Sequence, residues 1–473
     1  MSKRLILFLA LAFMVGIASV ALAEVQNVKV GGDIDIKGIA RNSLSLQDPT
    51  TTTGHTPVAY GESISAIIST VRVKLDADLT DNVSATVRLL NEREWGEEGA
   101  ATTDVDLDLA YIALKEFLYS PLTLTLGRQN LRFGSGLIVG DPDTNGIAAG
   151  HAAGTPVGLV TSLDDLSSRK SFDAMRATLD YDPLIVDLVY SKIDESGGGE
   201  NPGVAAYDDI DLYGINAGYA VNSDLNTEVY LWQRSRDANS VLGLRKAENL
   251  RTAGARGIYT GLENLVLGLE TALQFGDHAV EQSLYPDEVA DTGDNRKVRA
   301  YALQASANYA MPDVTYTPVL GASYTYLSGE NYLSNSSTYR GWNSMFEDQA
   351  GGTLFNKILA FSNVQLFNVS TSLKPMDDVT LALNYYYLRL NQAYTSAQPT
   401  AGVILSGVAG DPTFHMKSGE KALGSEIDLG ITYDYTEDVQ FGLNTGAFIP
   451  GSAFTGDNDK TATQVIGSMK VTF

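Results

Sequence analysis

The sequence predicts an all-β fold: a transmembrane antiparallel up-and-down β-barrel of about 18 strands, with short turns at one end and long loops at the other. Three observations predict it. Segments of about ten residues that alternate apolar with polar recur from residue 28 to the C-terminus. The connections between those segments alternate in length, short then long, along the chain. Glycine (45) and tyrosine (24, against 15 phenylalanines) are abundant, while no stretch beyond the N-terminus offers the ~18 consecutive apolar residues of a membrane helix.

The alternating segments fall near 28–41, 64–79, 83–92, 104–114, 122–132, 172–181, 184–193, 209–219 and 225–234. They continue near 250–259, 265–276, 298–309, 315–328, 364–373, 379–389, 422–433, 439–448 and 463–473. Numbered from the first, the even-to-odd connections are turn-like: TDN (80–82), DP (182–183), VNSD (221–224), MPDV (311–314), KPMDD (374–378) and YTED (435–438). The odd-to-even connections are longer, the longest near 133–171, 329–363 and 390–421. A sandwich or propeller would not hold that parity, whereas an outer-membrane barrel places short turns in the periplasm and long loops outside. No linker or low-complexity tract divides residues 24–473, which read as one barrel wide enough to keep an aqueous lumen.

Residues 1–23 read as a cleaved signal peptide that exports the chain through the inner membrane. Lys3 and Arg4 form a basic start, Leu5 to Val15 an apolar run, and Ala21-Leu22-Ala23 a small-x-small cleavage site before Glu24. Losing Lys3 and Arg4 takes the formal net charge from −24 to −26. So acidic an exported chain is unsuited to nucleic acid. The absence of cysteine excludes disulfides, covalent haem, thiolate metal sites and a cysteine nucleophile.

Strand periodicity assigns faces. Val71, Val73, Leu75, Ala77 and Leu79 face lipid, with Arg72, Lys74 and Asp76 opposite. Val83, Ala85, Val87 and Leu89 oppose Ser84, Thr86 and Arg88, and Val465, Gly467, Met469, Val471 and Phe473 oppose Gln464, Ser468, Lys470 and Thr472. The basic residues on pore parity are Lys29, Lys37, Arg41, Arg72, Lys74, Arg88, Arg176, Arg256 and Lys470, most of them on strands that must meet to close the barrel. The acidic ones are Asp106, Asp108, Asp187, Glu228, Glu270, Glu426 and Asp428, although Asp33 and Asp35 interrupt the basic wall. This distribution predicts a transverse field across the pore.

Residues 122–141, LTLTLGRQNLRFGSGLIVGD, begin as a strand with Leu122, Leu124 and Leu126 outward and Thr123, Thr125, Gly127 and Gln129 inward. Arg128 then falls on lipid parity, so it either sits near the upper interface or is turned inward by a bulge at Gly127. The glycines that follow are spaced G-x-G-x-x-x-G with no helical pattern after them, which excludes a phosphate-binding loop.

Gly127-Arg128-Gln129-x-Leu131-x-Phe133-Gly134, and Ser171-Phe172-Asp173-Ala174-Met175-Arg176 opening the next strand, resemble motifs of the alginate-export-type outer-membrane porins. Leu423-Gly424-Ser425-Glu426-Ile427-Asp428-Leu429 and Phe448-Ile449-Pro450-Gly451 resemble the closing motifs of that family, and terminal Phe473 resembles the signal read by outer-membrane assembly machinery. The anchors cover about a fifth of the chain. The resemblance implies an 18-stranded barrel, with Arg176 and Glu426 as pore residues and Arg128 carried over less directly. It also implies a strongly basic pore where a uronate polymer is exported, whereas the pore parity here is mixed in sign.

Asp141-x-Asp143-x-Asn145-Gly146 copies the first half of a calcium loop, but its twelfth position is Ala152 rather than a bidentate glutamate. His55, His151, His278 and His415 are scattered over predicted loops, and no Ser/His/Asp or paired-acid set points to an enzyme. The loop at 133–171 is expected to fold into the lumen and constrict it. The leading expectation is a passive channel for small hydrophilic or charged solutes, without a cofactor, in contact with outer-membrane lipid and open to homo-oligomerisation. The alternative is a barrel serving as a sheath or scaffold for a periplasmic electron-transfer partner spanning the outer membrane.

Overall fold

The computed structural model describes residues 27–473 apart from 47–62, 97–104, 143–162, 195–208, 238–246, 279–295, 331–336, 350, 360, 395–415 and 457. Residues 1–23, read from the sequence as a signal peptide, and Asp143 and Asn145 therefore lie outside the described residues. The strands are β1 (Asn27–Asn42), β2 (Ser63–Thr80), β3 (Val83–Glu94), β4 (Asp106–Leu114), β5 (Leu122–Asn130), β6 (Ser171–Asp180) and β7 (Leu184–Asp194). Next come β8 (Ile210–Asn222), β9 (Leu225–Arg236), β10 (Glu248–Leu262), β11 (Leu265–His278), β12 (Arg296–Ala310) and β13 (Val319–Leu327). The last are β14 (Thr338–Tyr339), β15 (Val364–Met376), β16 (Val379–Leu390), β17 (Ala422–Asp434), β18 (Val439–Pro450) and β19 (Ala462–Thr472).

Eighteen of these form a closed antiparallel barrel in which each strand pairs with its neighbours in sequence. The exception is β14, a two-residue strand in a loop, parallel to β12 through Lys297↔Thr338 and Val298↔Tyr339. Closure joins the chain ends, β1 to β19, from Asp33↔Thr472 to Asn42↔Thr463. Phe473 continues the seam: Gly32 and Phe473 exchange backbone hydrogen bonds of 2.8 and 2.9 Å. A Cβ on Gly32 would stand 2.9 Å from the Phe473 ring and 2.3 Å from the Arg72 carbonyl oxygen, so only glycine seats the terminal ring here.

Each predicted strand is present, and two boundaries differ in an informative way. The connection before β13 runs from 311 to 318, not over four residues, because Tyr316 (φ 67°) and Thr317 (φ 41°) take left-handed conformations and Pro318 follows them. β5 stops at Asn130, where Leu131 and Phe133 leave the sheet to be buried inside the barrel.

The outer surface shows why the pattern reads as a membrane protein. Leu188, Ile215, Leu231, Leu269 and Leu443 are exposed around its middle. Tyrosines edge this band at both ends, Tyr213, Tyr301 and Tyr385 on the long-loop side and Tyr219, Tyr309 and Tyr435 on the short-turn side. Tyr301 and Tyr309 are eight positions apart on β12, about 27 Å along the strand and ~20 Å of bilayer at a ~40° tilt. That is slightly less than the ~25 Å apolar band such barrels present. The apolar core lies inside the barrel rather than between layers, and it includes Trp232, Phe172, Phe346, Phe355 and Leu131.

Replacing Leu188, outward at the centre of β7, with arginine should lower the unfolding free energy by ~2–4 kcal/mol, as measured by denaturant titration in lipid vesicles. A change within experimental error would place Leu188 away from hydrocarbon.

Candidate functional site in the barrel lumen

Among the described residues three chain segments cross the interior, and inward-facing carboxylates on the wall hold them. The segment after β5 reaches β9, β11 and β12: Gly134 donates its N–H to Glu228 (2.9 Å), Ser135 donates to Glu270 (3.3 Å), and the Ser135 hydroxyl meets Gln304 Oε1 (3.1 Å). The segment before β6 lies against β1 and β3: Arg41 makes a two-pronged pair with Asp165 (2.9 and 2.6 Å), while Glu92 accepts the Ser167 hydroxyl (2.7 Å) and the Ser168 N–H (2.6 Å). The segment between β13 and β15 is the third. Asp428 accepts the Thr353 N–H (3.0 Å), and Glu426 accepts those of Leu354 (2.7 Å) and Phe355 (2.8 Å) at the start of a one-turn helix, α1 (Phe355–Ile358). A chord from β5 to β11 can only pass through the lumen, because the outward neighbours Val229 and Leu269 are exposed on the opposite face.

Two glycines make these approaches close. Gly134 (φ 61°) would bring a Cβ to 3.1 Å from a Glu270 oxygen, and Gly352 (φ 127°) would bring one to 2.5 Å from Glu426. Both dihedrals also favour glycine.

The first and third segments pair with each other. Val139 bridges Phe346 in parallel, Gly140 and Asp141 donate to the Phe346 carbonyl (2.8 and 3.1 Å), and Asp348 donates to that of Gly136 (2.8 Å). Side chains reinforce the junction. Arg132 reaches Asp348 (3.1 Å), and Lys170 reaches Asp348 (2.6 Å) and Asp141 (3.4 Å). Burial works against the Lys170 ammonium, yet Asp348 and Asp141 hold its pKa above the usual lysine value. Burial likewise opposes ionisation of Asp348, but Lys170 and Arg132 keep its pKa below the ordinary aspartate value. Next to them, burial first and then the charges of Asp141 and Asp348 push Glu347 up to about 8, despite the N–H it accepts from Gln349 (2.7 Å).

Between these segments and the wall of β10–β16 lies a cavity of about 390 Å³. Gln304, Ser306, Ser323, Thr325 and Asn368 line its wall, and Ser135, Gln349, Arg132 and Asp348 line the side of the infolded segments. Gln304, Gln349 and Ser135 are joined by hydrogen bonds of 2.6 to 3.1 Å.

Most inward cations predicted from sequence sit beside a carboxylate. Arg72 binds Asp33 (2.7 Å), Arg88 binds Asp108 (2.5 Å), Arg176 binds Asp187 (2.7 Å), Lys37 approaches Asp35 (3.4 Å) and Lys74 approaches Asp76 (2.8 Å). Arg256 lies 3.7 Å from Glu228 and 3.6 Å from Glu270. Arg169 takes up Asp106 (2.7 Å) and Glu92 (2.5 Å). Lys29 and Lys470 make no ion pair among the described residues. Cations and carboxylates thus lie side by side over most of the wall, with Arg169 and Arg256 each between two acids, which leaves little of the separated field expected across the pore. Glu426 (0% exposed) and Asp428 (5%) lie beneath the third segment, not on an open pore wall. Asp141, first of the calcium-loop-like residues, is buried and turned to the Lys170 ammonium.

The Gly127-Arg128-Gln129 and Phe172-Asp173 motifs form one cross-strand unit. Arg128 pairs with Asp173, and Gln129 pairs with Phe172, in unbroken register between β5 and β6. Arg128 points outward and binds both Asp173 oxygens (3.0 and 2.9 Å) and the Leu107 carbonyl (3.0 Å), so Gly127 (φ 120°) does not turn it inward. Gln129 points inward and donates to the Gly127 and Ala174 carbonyls (3.1 and 3.0 Å), while Phe172 packs edge-on against Phe346 of the third segment (6.2 Å).

Sequence reasoning passed over Arg132, Arg169, Lys170, Asp348 and the whole third segment. One signal was present. A long loop carrying Trp342, Phe346, Phe355 and Phe361 has too much apolar surface to be left in water, and all four are buried.

A family model described as Alginate export matches residues 58–468. Comparison with curated proteins finds no match. Among solved structures, Pseudomonas aeruginosa OccK2 (OpdF) in complex with glucuronate is similar at 10% identity, covering 95% of this chain and 99% of that one, with a TM-score of 0.53. OpdQ of the same organism is similar at 12% identity, with coverage of 95% and 99% and a TM-score of 0.53. Acinetobacter baumannii OccAB4 is similar at 11% identity, with coverage of 96% and 100% and a TM-score of 0.50. With the eighteen-stranded barrel in place and the family model spanning most of its length, the chain belongs to the alginate-export family and is an outer-membrane porin.

Proposed function

We propose that the infolded segments form the constriction of this porin and that it passes small neutral or zwitterionic hydrophilic solutes down their gradients. The observation that carries this reading is the lining of the 390 Å³ cavity. Amides and hydroxyls supply donors and acceptors to replace a solute's hydration, while Arg132 is matched by Asp348 and Arg256 is shared by Glu228 and Glu270 within ion-pair distance. A uronate polymer would need a row of cations without local partners, and the inward arginines of the described wall have theirs. The interior crossed by three anchored segments also favours a channel over a sheath, which would keep its lumen clear for a partner. In this reading the leader at 1–23 directs export, Phe473 serves as the assembly signal, Asp141 needs no calcium, and the barrel performs no catalysis.

In a planar bilayer under a potassium chloride gradient the reversal potential should lie close to zero. Strong selectivity for either ion would overturn the charge-compensated pathway. Glu426→Ala removes the acceptor for two backbone N–H groups, each such bond contributing ~0.5–1.5 kcal/mol. Conductance should rise while the heat-modifiable mobility of a folded barrel persists, and unchanged conductance would mean that the third segment does not narrow the pore. Glu347 supplies a pH test. Its raised pKa means that the folded state holds a proton between 4.5 and about 8 that the unfolded chain has released. Stability should therefore fall as pH rises across that window and level off above it, and Glu347→Gln should remove that part of the slope in denaturation curves.

A further inference from the structure

The outer face carries a feature that solute passage does not use. Arg251 on β10 and Arg299 on β12 both point outward and are exposed, flanking exposed Phe275 on β11: the register pairs Arg251 with Phe275, and Phe275 with Arg299. With ~4.8 Å between strands, the two arginines stand about 10 Å apart across one ring. Outward-facing cations are costly in hydrocarbon but tolerated at headgroup level. Their height fits that level, because Arg299 is two positions above Tyr301 of the long-loop tyrosine row.

Other outward charges near the long-loop end, on β7, β8, β11 and β12, are already matched. Asp277, one row above Phe275, is taken by Lys297 at 2.5 Å, and Lys192 lies 3.4 Å from both Asp209 and Asp211. Arg251 has only the side-chain amide of Gln233 (2.8 Å), and Arg299 has no carboxylate partner among the described residues.

A second, independent feature adjoins them. Arg251 and Gln233 form the polar end of a groove of about 630 Å³ on the barrel exterior. Below them the groove is apolar, lined by Leu231, Ile215 and Leu188, while Tyr213, Tyr190 and Met175 continue the Arg251 row along its rim. Ala177, between Leu124 and Leu188 in the cross-strand row, leaves the depression that the larger side chains border.

We infer that this face is a binding site for a phosphate-bearing lipid of the outer leaflet, its headgroup held by Arg251 and Arg299 and an acyl chain laid in the groove beneath. Charge complementarity selects the occupant. Two exposed guanidinium groups without carboxylates, on a chain of net charge −24, match an anionic headgroup, and the apolar groove running from one of them matches its chain. This rests on the porin reading only in needing the long loops to lie at the outer face of the membrane.

The test uses the whole barrel in uncharged detergent, incubated with a lipid carrying a phosphate monoester headgroup or with the phosphocholine lipid of the same chains. Native mass spectrometry counts retained lipid. The phosphate monoester lipid should be held about tenfold more tightly, and R251Q/R299Q should bring the two to parity. Leu188→Trp, which fills the groove without changing charge, should weaken both. Equal retention by the unaltered protein, or a preference that survives R251Q/R299Q, overturns the proposal. So does loss of an oligomer in R251Q/R299Q without any lipid preference, since the face then belongs to a second copy. Conductance recorded on the same preparations separates the failures: a barrel that does not conduct counts against the porin, and one that conducts without lipid preference counts only against this site.

Discussion

The interior depends on one interaction, a wall carboxylate accepting a backbone N–H from a segment folded into the lumen. Glu92, Glu228, Glu270, Glu426 and Asp428 each do this, on strands distributed around the ring. A peptide N–H removed from water needs an acceptor, and a wall carboxyl oxygen supplies one. Seating the segments this way satisfies their main chain while apolar side chains such as Phe346, Phe355 and Trp342 gather beneath them. The barrel thereby acquires the buried core that an empty cylinder lacks.

The same carboxylates account for the mildness of the pore's field. Inward acids that hold N–H groups also stand within reach of inward arginines, as Glu228 and Glu270 do of Arg256. Opposite charges a few ångströms apart cancel at longer range, so a passing solute meets amides and hydroxyls more than net charge. Compensation at contact distance also makes the lumen less responsive to ionic strength than separated walls would be, because mobile ions screen distant charges and leave close pairs largely intact.

The barrel was legible in the sequence because period-two alternation and turn parity are local, repeated eighteen times, and mutually consistent. The β12–β13 connection was not, since nothing in the identities of Tyr316 and Thr317 announces a left-handed backbone. Inward orientation of Arg72, Arg176, Glu228 and Glu426 also followed from alternation. Their partners did not: Glu426 meets residues 354 and 355, some seventy positions away, and Arg41 meets Asp165 more than a hundred away. Parity fixes a side chain's face but carries no information about which loop will arrive opposite it. The Gly127–Gln129 motif illustrates both halves. Alternation placed Arg128 outward, and only the register of β6 explains how Asp173 neutralises it.

The seam between β1 and β19 has a consequence for how the barrel closes. It is the one barrel pairing between segments at opposite ends of the sequence, and Phe473 contributes its backbone to it. Every other pairing joins neighbouring barrel strands in sequence, but this one joins strands more than 400 residues apart and so closes the longest loop. Until it forms two unpaired edges stand open, which is intolerable in hydrocarbon and prone to wrong pairing in water. Closure therefore rests on a single seam, where the Phe473 ring sits against Gly32.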